Sequence, residues 1–436
     1  MSNPNLSVPT IITRSEHNLS RANISPNALK VLYRLKNAGY QACLVGGGVR
    51  DLLLGREPKD FDVGTSARPE EVRQLFRNCR LIGRRFRLAH ILFGREIVEV
   101  ATFRARHDGE VDHESGDRSF QNGRLVRDNV YGAIEEDAWR RDFTMNALYY
   151  DIENFSVLDY VQGMKDLKGG TIRLIGDPEN RFREDPVRLL RAVRFSAKLG
   201  FRIHKDTEIF IGQLGYLLQD IPGSRLYEEV LKLFLLGTAL STFELLRHYG
   251  LFQYLFPLTE ASLSEQSGDF PLTLVTRAMA NTDERVNMGK SVTPAFLFAA
   301  LLWEPMRRRA EDLVANGLSM AQAVHTAGGE VVRRQSKNIS VPKRFSLPMR
   351  EIWGLQARLE RNSGKRALNL LNHPRFRAAY DFLLLRGETG EVPTELGEWW
   401  TKFQQASASE QKSMVATDGP RKRRRGRARR PSIQTP

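Results

Sequence analysis

The chain contains 436 residues, of which 41% are hydrophobic, and it carries a formal net charge of +15. This composition excludes a disordered or fibrous protein, and the length allows a sizeable core in about two to four domains. The cationic balance favours a polyanionic partner, while the two cysteines are too few for a disulfide framework and show no zinc-type spacing.

The N-terminal segment is polar, and residues 1–23 are predicted to form a flexible arm. The start, MSNPNLSVPT, lacks the apolar core of a signal peptide. The longest apolar stretch of the chain, Ala295 to Trp303, is too short to span a bilayer. We therefore expect a cytoplasmic protein.

A strand, a glycine turn and a helix are predicted next. Cys43 to Val45 form a short apolar strand, the glycines Gly46 to Gly48 interrupt it, and a helix follows from Val49 until Gly55. A phosphate could approach such a turn closely, where helix N–H groups and Arg50 would contact it. The spacing matches neither common glycine-rich nucleotide motif, and an ordinary turn without a ligand explains the glycines equally well.

Two aspartates follow the turn. Asp60 and Asp62 alternate with Phe61 and Val63, so on a strand both carboxylates would project from one face. Neighbouring carboxylates repel each other, and Mg²⁺ relieves the repulsion by binding carboxylate and phosphate oxygens together. The pair therefore predicts a metal site for chemistry on a nucleoside triphosphate, with a polar edge strand as the alternative.

A third acidic group is usual at such a site, and the sequence offers two candidates. Glu99 lies in REIVEVATF, which alternates like a strand; it could pair beside the two aspartates or equally well face solvent. Asp142 follows Arg140 and Arg141 in RRDFTMNAL, where it would either serve the site or form an ion pair. Spacing alone does not choose between them.

The segment EDPVRLLRAVRFSAKLGF predicts a helix with clear ends. Asp185 is a good N-cap, Pro186 suits the first helical position, and Gly200 suits the C-terminal end. Apolar residues recur at helical spacing and are expected to face the core: Leu190, Val193 and Ala197.

A polar side of the same helix carries Asp185, Arg188 and Arg191 at intervals of three residues. A carboxylate that accepts beside an arginine that donates matches the base edge of adenine and also that of cytosine. The pattern therefore does not distinguish ATP from CTP as the substrate. The alternative is that Asp185 is only a cap and the arginines are only solvated.

The sequence after this helix is predicted to be helical throughout. Arginines alternate there with Phe376, Tyr380 and Phe382, which would either stack on nucleic acid bases or pack into the core. We expect packing, because aromatic residues at helical spacing usually face inward.

The chain ends in a strongly basic segment. Eight basic residues lie between Arg421 and Arg430, so the rest of the chain carries a charge of 15 − 8 = +7. Such a run is expected to be disordered and to bind a polyanion, of which RNA is the simplest choice. A solubilising tail or contact with anionic lipid are the alternatives.

Taken together, GGGVRD, the DFD pair, RRDFTMNAL and EDPVRLLRAVRF resemble the signature elements of class II nucleotidyltransferases. That family includes tRNA CCA-adding enzymes and bacterial poly(A) polymerases. The segments LIGRRFRLAHILFG, EVATFR and TPAFLFAALLW, followed by the basic tail, are similar to the poly(A) polymerase branch. The resemblance extends from about Ile24 to Phe403.

The resemblance implies an α/β nucleotidyltransferase head with a small mixed sheet, all-helical neck and body regions, and a disordered basic tail. The expected boundaries are 1–23 for the arm, 24–170 for the head, 171–237 for the neck with its base-recognition helix, 238–406 for the RNA-binding body and 407–436 for the tail.

The resemblance also implies template-independent addition of AMP from ATP to RNA 3′ ends, with consequences for RNA decay and quality control. RNA and RNA-decay proteins would be the partners, and Mg²⁺ the cofactor. A CCA-adding enzyme and a non-catalytic RNA-binding protein are the alternatives. By position, Asp60 and Asp62 would hold the metal and Asp142 would complete the catalytic carboxylates. The residues expected to contact ATP are Gly46, Gly47, Arg50, Arg141, Asp185, Arg188 and Arg191.

Overall fold

A mixed eight-stranded sheet dominates the first half of the chain. The computed structural model describes residues 8–83, 87–105, 118–121, 124–128, 130–265 and 274–415. In the large sheet the strand order is β1-β10-β9-β2-β3-β6-β5-β4, and β3 and β6 are its one parallel pair within the described residues. Separate two-stranded sheets pair β7 with β8 and β11 with β12. The strands are β1 (Thr10–Ile12), β2 (Ala42–Val45), β3 (Asp62–Thr65), β4 (Cys79–Ile82), β5 (Leu88–Phe93), β6 (Glu96–Thr102), β7 (Arg118–Gln121), β8 (Arg124–Asp128), β9 (Leu148–Asp151), β10 (Ser156–Asp159), β11 (Thr171–Ile172) and β12 (Arg202–Ile203).

Helices make up most of the described chain outside the strands. Short 3-10 segments also occur, at Arg14–Glu16, Arg21–Asn23, Thr144–Asn146 and Gly215–Asp220. The α-helices are α1 (Pro26–Asn37), α2 (Gly47–Leu53), α3 (Pro69–Leu75), α4 (Ile134–Arg140), α5 (Gly163–Lys168), α6 (Pro178–Glu184), α7 (Val187–Leu199), α8 (Lys205–Leu214), α9 (Gly223–Phe234), α10 (Ala239–His248), α11 (Phe252–Leu255), α12 (Pro257–Ser264), α13 (Leu274–Asn287), α14 (Pro294–Leu301), α15 (Trp303–Ala315), α16 (Met320–Gln335), α17 (Lys343–Leu359), α18 (Lys365–Leu371), α19 (Phe376–Glu388), α20 (Thr394–Gln405) and α21 (Ala408–Met414).

The N-terminal segment differs from the flexible arm that the sequence predicts. Thr10–Ile12 forms an edge strand that pairs antiparallel with β10, and Leu19 is fully buried. The prediction rests on the polar composition of residues 1–23, which does not show that the few apolar residues among them pack against the sheet. These contacts and the strand pairing fix the segment. Residues 1–7 lie outside the described chain.

Helix α7 ends before Gly200, as its sequence predicts, and it begins at Val187, one residue later than predicted. The Asp185 carboxylate accepts a hydrogen bond from the backbone N–H of Val187 at 3.3 Å, and Pro186 has a helical conformation. Gly200 ends the helix with a φ of +73°, a left-handed conformation that favours glycine. Leu190 and Val193 are fully buried, as expected for the core-facing side. The short pair of β11 and β12 is a departure from the all-helical neck that was predicted.

The described chain divides into two units. The first runs through residue 263 and also includes 279–291 and 335–340, and the second contains the remaining described residues from 264 onward. In the second unit Phe376, Tyr380 and Phe382 are buried, which confirms that they pack rather than stack on bases. Among the described residues, no helix combines the length and apolarity that a bilayer crossing requires. The basic run predicted as a tail lies outside the described residues.

Candidate active site

A row of polar residues crosses three neighbouring strands of the large sheet. Asp62 on β3 is the register partner of Glu99 on β6, and Glu99 is in turn the partner of His90 on β5. Directly paired residues point to the same face of a sheet, so these three side chains lie side by side. The predicted pairing of Glu99 beside the aspartates is therefore confirmed for Asp62.

The strand β3 begins only at Asp62, so the alternation argument does not extend to Asp60. Asp60 precedes the strand and is exposed, while Asp62 is half-buried. Both carboxylates lack hydrogen bonds and ion pairs to any part of the chain that the structure describes. The pKa of Asp62 is raised to about 6, chiefly by burial and then by the negative charge of Glu99; Arg141 opposes the rise, and Asp60 adds to it.

The glycine turn faces this acidic pair. Gly46 has a φ of +71° and lies between β2 and α2. A Cβ atom on Gly46 would lie 3.4 Å from Arg141 Nη1 and 3.8 Å from Asp62 Oδ2. The backbone of the turn, the aspartate and the arginine therefore converge on one point.

The other two glycines belong to α2, which begins at Gly47, two residues earlier than predicted, and ends at Leu53. A Cβ atom on Gly48 would lie 3.4 Å from the backbone oxygen of Asp60. The small residue therefore allows the segment that carries Asp60 to pack closely against the helix. A Cβ atom on Gly47 would face the Arg50 guanidinium at 3.5 Å.

Arg141 is held in place by two neighbours. Its Nε donates to the Tyr149 hydroxyl at 2.9 Å, and its Nη2 lies 3.1 Å from the Asp137 carboxylate. The guanidinium also lies over the Tyr149 ring, 5.1 Å from the centroid. These contacts fix the direction of Arg141 while its Nη1 stays close to Gly46.

Arg50 is buried and points into the protein. Its side chain is 3% exposed, and it donates to Asp51 at 2.6 Å and to the Asn146 side-chain oxygen at 2.7 Å. Arg50 thereby joins α2 to the segment that follows Arg141. Sequence reasoning missed the contact of Asn146 with Arg50, because the two residues are 96 positions apart.

Asp142 pairs with Arg191 rather than with the acidic row. Its carboxylate lies 2.5 Å from Arg191 Nη2 and accepts hydrogen bonds from the Asn146 side chain at 3.1 Å and from the Phe143 N–H at 2.8 Å. Burial alone would raise the pKa of Asp142, but Arg191 and these donors outweigh it and hold the pKa well below its usual range. The carboxylate stays ionised and neutralised within the protein.

The two residues predicted to read the base each have another partner. Asp185 lies 2.7 Å from Arg225 Nη2, and Arg188 Nη1 lies 2.7 Å from Glu184. Arg188 also donates to the backbone oxygen of Arg181 at 2.6 Å. Both side chains are thus held at the junction of α6 and α7 and are not paired with each other through their side chains.

The donor set fits a hard divalent cation. Among the described residues, no group of three or more His, Cys, Asp or Glu side chains is arranged to hold a metal alone. Asp60 and Asp62 would therefore supply two ligands and need others, which phosphate oxygens and water provide at magnesium sites. The Asp62 carboxylate has no ion-pair partner among the described residues, so its oxygens are available to a cation, and its raised pKa agrees with this.

Comparison with known proteins places this site in a family. The description "Poly A polymerase head domain" matches residues 42–173, and "Probable RNA and SrmB- binding site of polymerase A" matches residues 200–263. "Polymerase A arginine-rich C-terminus" matches residues 316–432. The chain is 52% identical over 432 residues to Poly(A) polymerase I of Escherichia coli O6:H1, across 98% of this chain and 92% of that protein.

The chain belongs to the poly(A) polymerase family. Poly(A) polymerase I of Haemophilus influenzae is 45% identical over 408 residues, which span 93% of this chain and 90% of that protein. The resemblance to class II nucleotidyltransferases is therefore confirmed in its poly(A) polymerase branch, and so is the predicted enzyme class, a polynucleotide adenylyltransferase.

A solved structure supports the fold. The Bacillus stearothermophilus CCA-adding enzyme in complex with CTP has a TM-score of 0.60 and 28% identity, covering 87% of this chain and 82% of that chain. The predicted fold class, a nucleotidyltransferase head followed by helical regions, is confirmed for this member of the poly(A) polymerase family.

Proposed function

We propose that this protein adds AMP from ATP to RNA 3′ ends without a template, and that this polyadenylation contributes to RNA decay and quality control. The observation that carries the proposal is the convergence of Gly46, Asp62 and Arg141, in which the Asp62 carboxylate has no protein partner within the described residues. A backbone turn without side chains, an uncompensated carboxylate and a fixed guanidinium suit a triphosphate with its metal ion.

The metal ligands in this proposal are Asp60 and Asp62. When bound, Mg²⁺ would supply charge neutralisation for the RNA 3′ hydroxyl and the α-phosphate. The chain itself orients the triphosphate, since the Gly46 backbone admits it closely and Arg141 offers a fixed positive charge. Pyrophosphate leaves on the side of Gly46 and Gly47.

In this proposal the two candidates for the third carboxylate have different roles. Glu99 adds negative charge directly beside Asp62, with which it shares register. Asp142 acts as a positioning residue, because its carboxylate holds Arg191 and Asn146. Asn146 in turn accepts a hydrogen bond from the inward-directed Arg50, so Asp142 and Asn146 connect Arg191 to this buried arginine.

The base is addressed by Asp185 and Arg188 in this proposal. Both lie at the start of α7, and their ion pairs with Arg225 and Glu184 limit the directions in which they can accept and donate. We also infer a cytoplasmic location, because the ATP and RNA consumed in the reaction are found there. RNA-decay proteins are proposed partners. The boundaries given above for head, neck and body are kept as part of the proposal, whereas the segments expected to be a flexible arm and a disordered tail include β1 (Thr10–Ile12) and α21 (Ala408–Met414).

An incorporation assay with labelled RNA separates this function from that of a CCA-adding enzyme. With ATP and Mg²⁺, long adenosine ladders are expected on RNAs unrelated to tRNA, and CTP is expected to add few nucleotides or none. Efficient addition of CTP to tRNA lacking its 3′ end would instead favour the CCA-adding activity. No incorporation with any nucleotide would favour a non-catalytic RNA-binding protein.

Deletion of the residues after Thr417 is expected to weaken RNA binding. The eight basic residues between Arg421 and Arg430 are removed, and the slope of log K against log salt should become shallower by about 0.7 for each RNA phosphate that the tail had neutralised. Binding to single-stranded RNA at several salt concentrations measures this slope. An unchanged slope would contradict a role of the tail in RNA binding.

A further inference from the structure

His90 lies in the segment RLAHILF, which the proposed chemistry leaves without a role. On β5 its neighbours Ala89 and Ile91 are buried, so His90 projects from the opposite face, which is the face of Glu99 and Asp62. The side chains of His90 and Glu99 are 22% and 40% exposed, so both are accessible to solvent in part.

One hydrogen bond connects the pair. His90 Nε2 lies 3.2 Å from Glu99 Oε2. A carboxylate can only accept, so Nε2 carries the proton of this bond. The bond restricts rotation of a glutamate that would otherwise be free to turn into solvent.

The restricted rotation of Glu99 matters because Glu99 lies beside Asp62. Glu99 and Asp62 are register partners on the one parallel strand pair of the large sheet within the described residues. An ordinary cross-strand pair on a sheet surface would stabilise the fold only slightly, whereas this pair adjoins a proposed metal ligand.

We infer that His90 is a positioning residue that orients Glu99 beside Asp62 and thereby strengthens the binding of a divalent cation. The inference rests on the proposed function, because it requires the cation at Asp62. Groups that orient the ligands of a metal, without touching the metal, commonly change its affinity by about 10-fold or more. Because Glu99 is partly exposed, a smaller effect is expected here.

The test measures Mn²⁺ binding to the full-length protein without nucleotide, by the loss of the electron paramagnetic resonance signal of free Mn²⁺. His90→Ala is expected to raise the dissociation constant about 5-fold and Glu99→Gln about 10-fold. His90→Gln keeps an N–H donor at a similar distance and is expected to restore binding to within about 2-fold of the parent. Adding His90→Ala to Glu99→Gln is expected to have no further effect, because the two act in one chain.

Arg80→Ala is the matched control. Arg80 lies on β4 and is the register partner of His90, one strand farther from Asp62. Its replacement therefore shows whether the loss of any basic side chain from this row of residues weakens Mn²⁺ binding. Mn²⁺ binding by this variant is expected to match the parent.

Equal binding by His90→Ala and the parent would overturn the inference, as would equal weakening in His90→Gln or additive effects in the double variant. Asp62→Asn distinguishes this failure from that of the proposed function. If Asp62→Asn loses binding while His90→Ala does not, only the role of His90 is wrong. If Asp62→Asn binds Mn²⁺ like the parent, the metal site itself is wrong.

Discussion

Asp62→Asn is expected to lower the rate of AMP addition by about 1,000-fold, because the substitution removes charge at the point where the triphosphate and its metal ion would bind. The amide is nearly isosteric with the carboxylate, so the fold should be retained. Single-turnover extension of labelled RNA with ATP and Mg²⁺ measures the effect. RNA binding is expected to stay within about 2-fold, since no RNA contact is assigned to Asp62. Retained activity would rule out this site.

The same substitution is expected to stabilise the metal-free protein. The pKa of Asp62 is about 6 in the folded protein against an ordinary value of 3.8, so the folded state binds more protons between these values. Stability from this group therefore decreases as the pH rises through that window. Asparagine carries no charge, so at pH 8 we expect a gain of about 1 to 2 kcal/mol in the free energy of unfolding, after allowance for solvent screening.

Denaturant unfolding in EDTA at pH 8 and pH 5 measures this gain, which should be smaller at pH 5 because the folded parent is then largely protonated. Asp60→Asn is the matched control, since Asp60 is exposed. It is expected to lower activity while changing the free energy of unfolding by less than about 0.5 kcal/mol. Equal stabilisation by both substitutions, or a gain that does not depend on pH, would contradict a poorly compensated charge at Asp62.

The sequence predicts those parts of the site whose signal is local. Glycine ends the strand and precedes the helix at Gly46, and the alternation in REIVEVATF makes the position of Glu99 beside Asp62 one of two that the sequence allows. The ends of α7 follow from Asp185 and Gly200, because caps depend on neighbouring residues only. The fold class is likewise predictable from several motifs in a fixed order.

What the sequence does not predict depends on contacts between distant residues. Arg50 was expected at the phosphates, yet its partner Asn146 lies 96 positions away and directs the guanidinium inward. The ion pair of Asp142 with Arg191 spans 49 positions. Local spacing indicates neither of these contacts. An arginine on a helix can face solvent, bind substrate or pair with a buried carboxylate, and its neighbours in the sequence do not tell which.

Gly46→Ala is expected to lower the rate of AMP addition about 100-fold and to raise the KM for ATP. The new methyl group would lie 3.4 Å from Arg141 Nη1 and 3.8 Å from Asp62 Oδ2, so it contacts both groups and occupies the space through which a phosphate would approach the backbone. Displacing a reacting group by about 1 Å can lower a rate about 100-fold. The φ of +71° adds strain of about 1 to 3 kcal/mol.

Gly55→Ala separates the occupied space from the backbone strain. Gly55 lies just after the same helix with a φ of +68°, and a Cβ atom there would meet no heavy atom within 4 Å. This variant is expected to lose about 1 kcal/mol in its free energy of unfolding but to keep the rate of AMP addition within about 2-fold of the parent. The rates of the two variants are compared at a temperature at which both variants are folded. If Gly55→Ala lost as much activity as Gly46→Ala, helix strain would explain both losses. A selective loss in Gly46→Ala, with the KM for ATP raised, would support the approach of the phosphates at this turn.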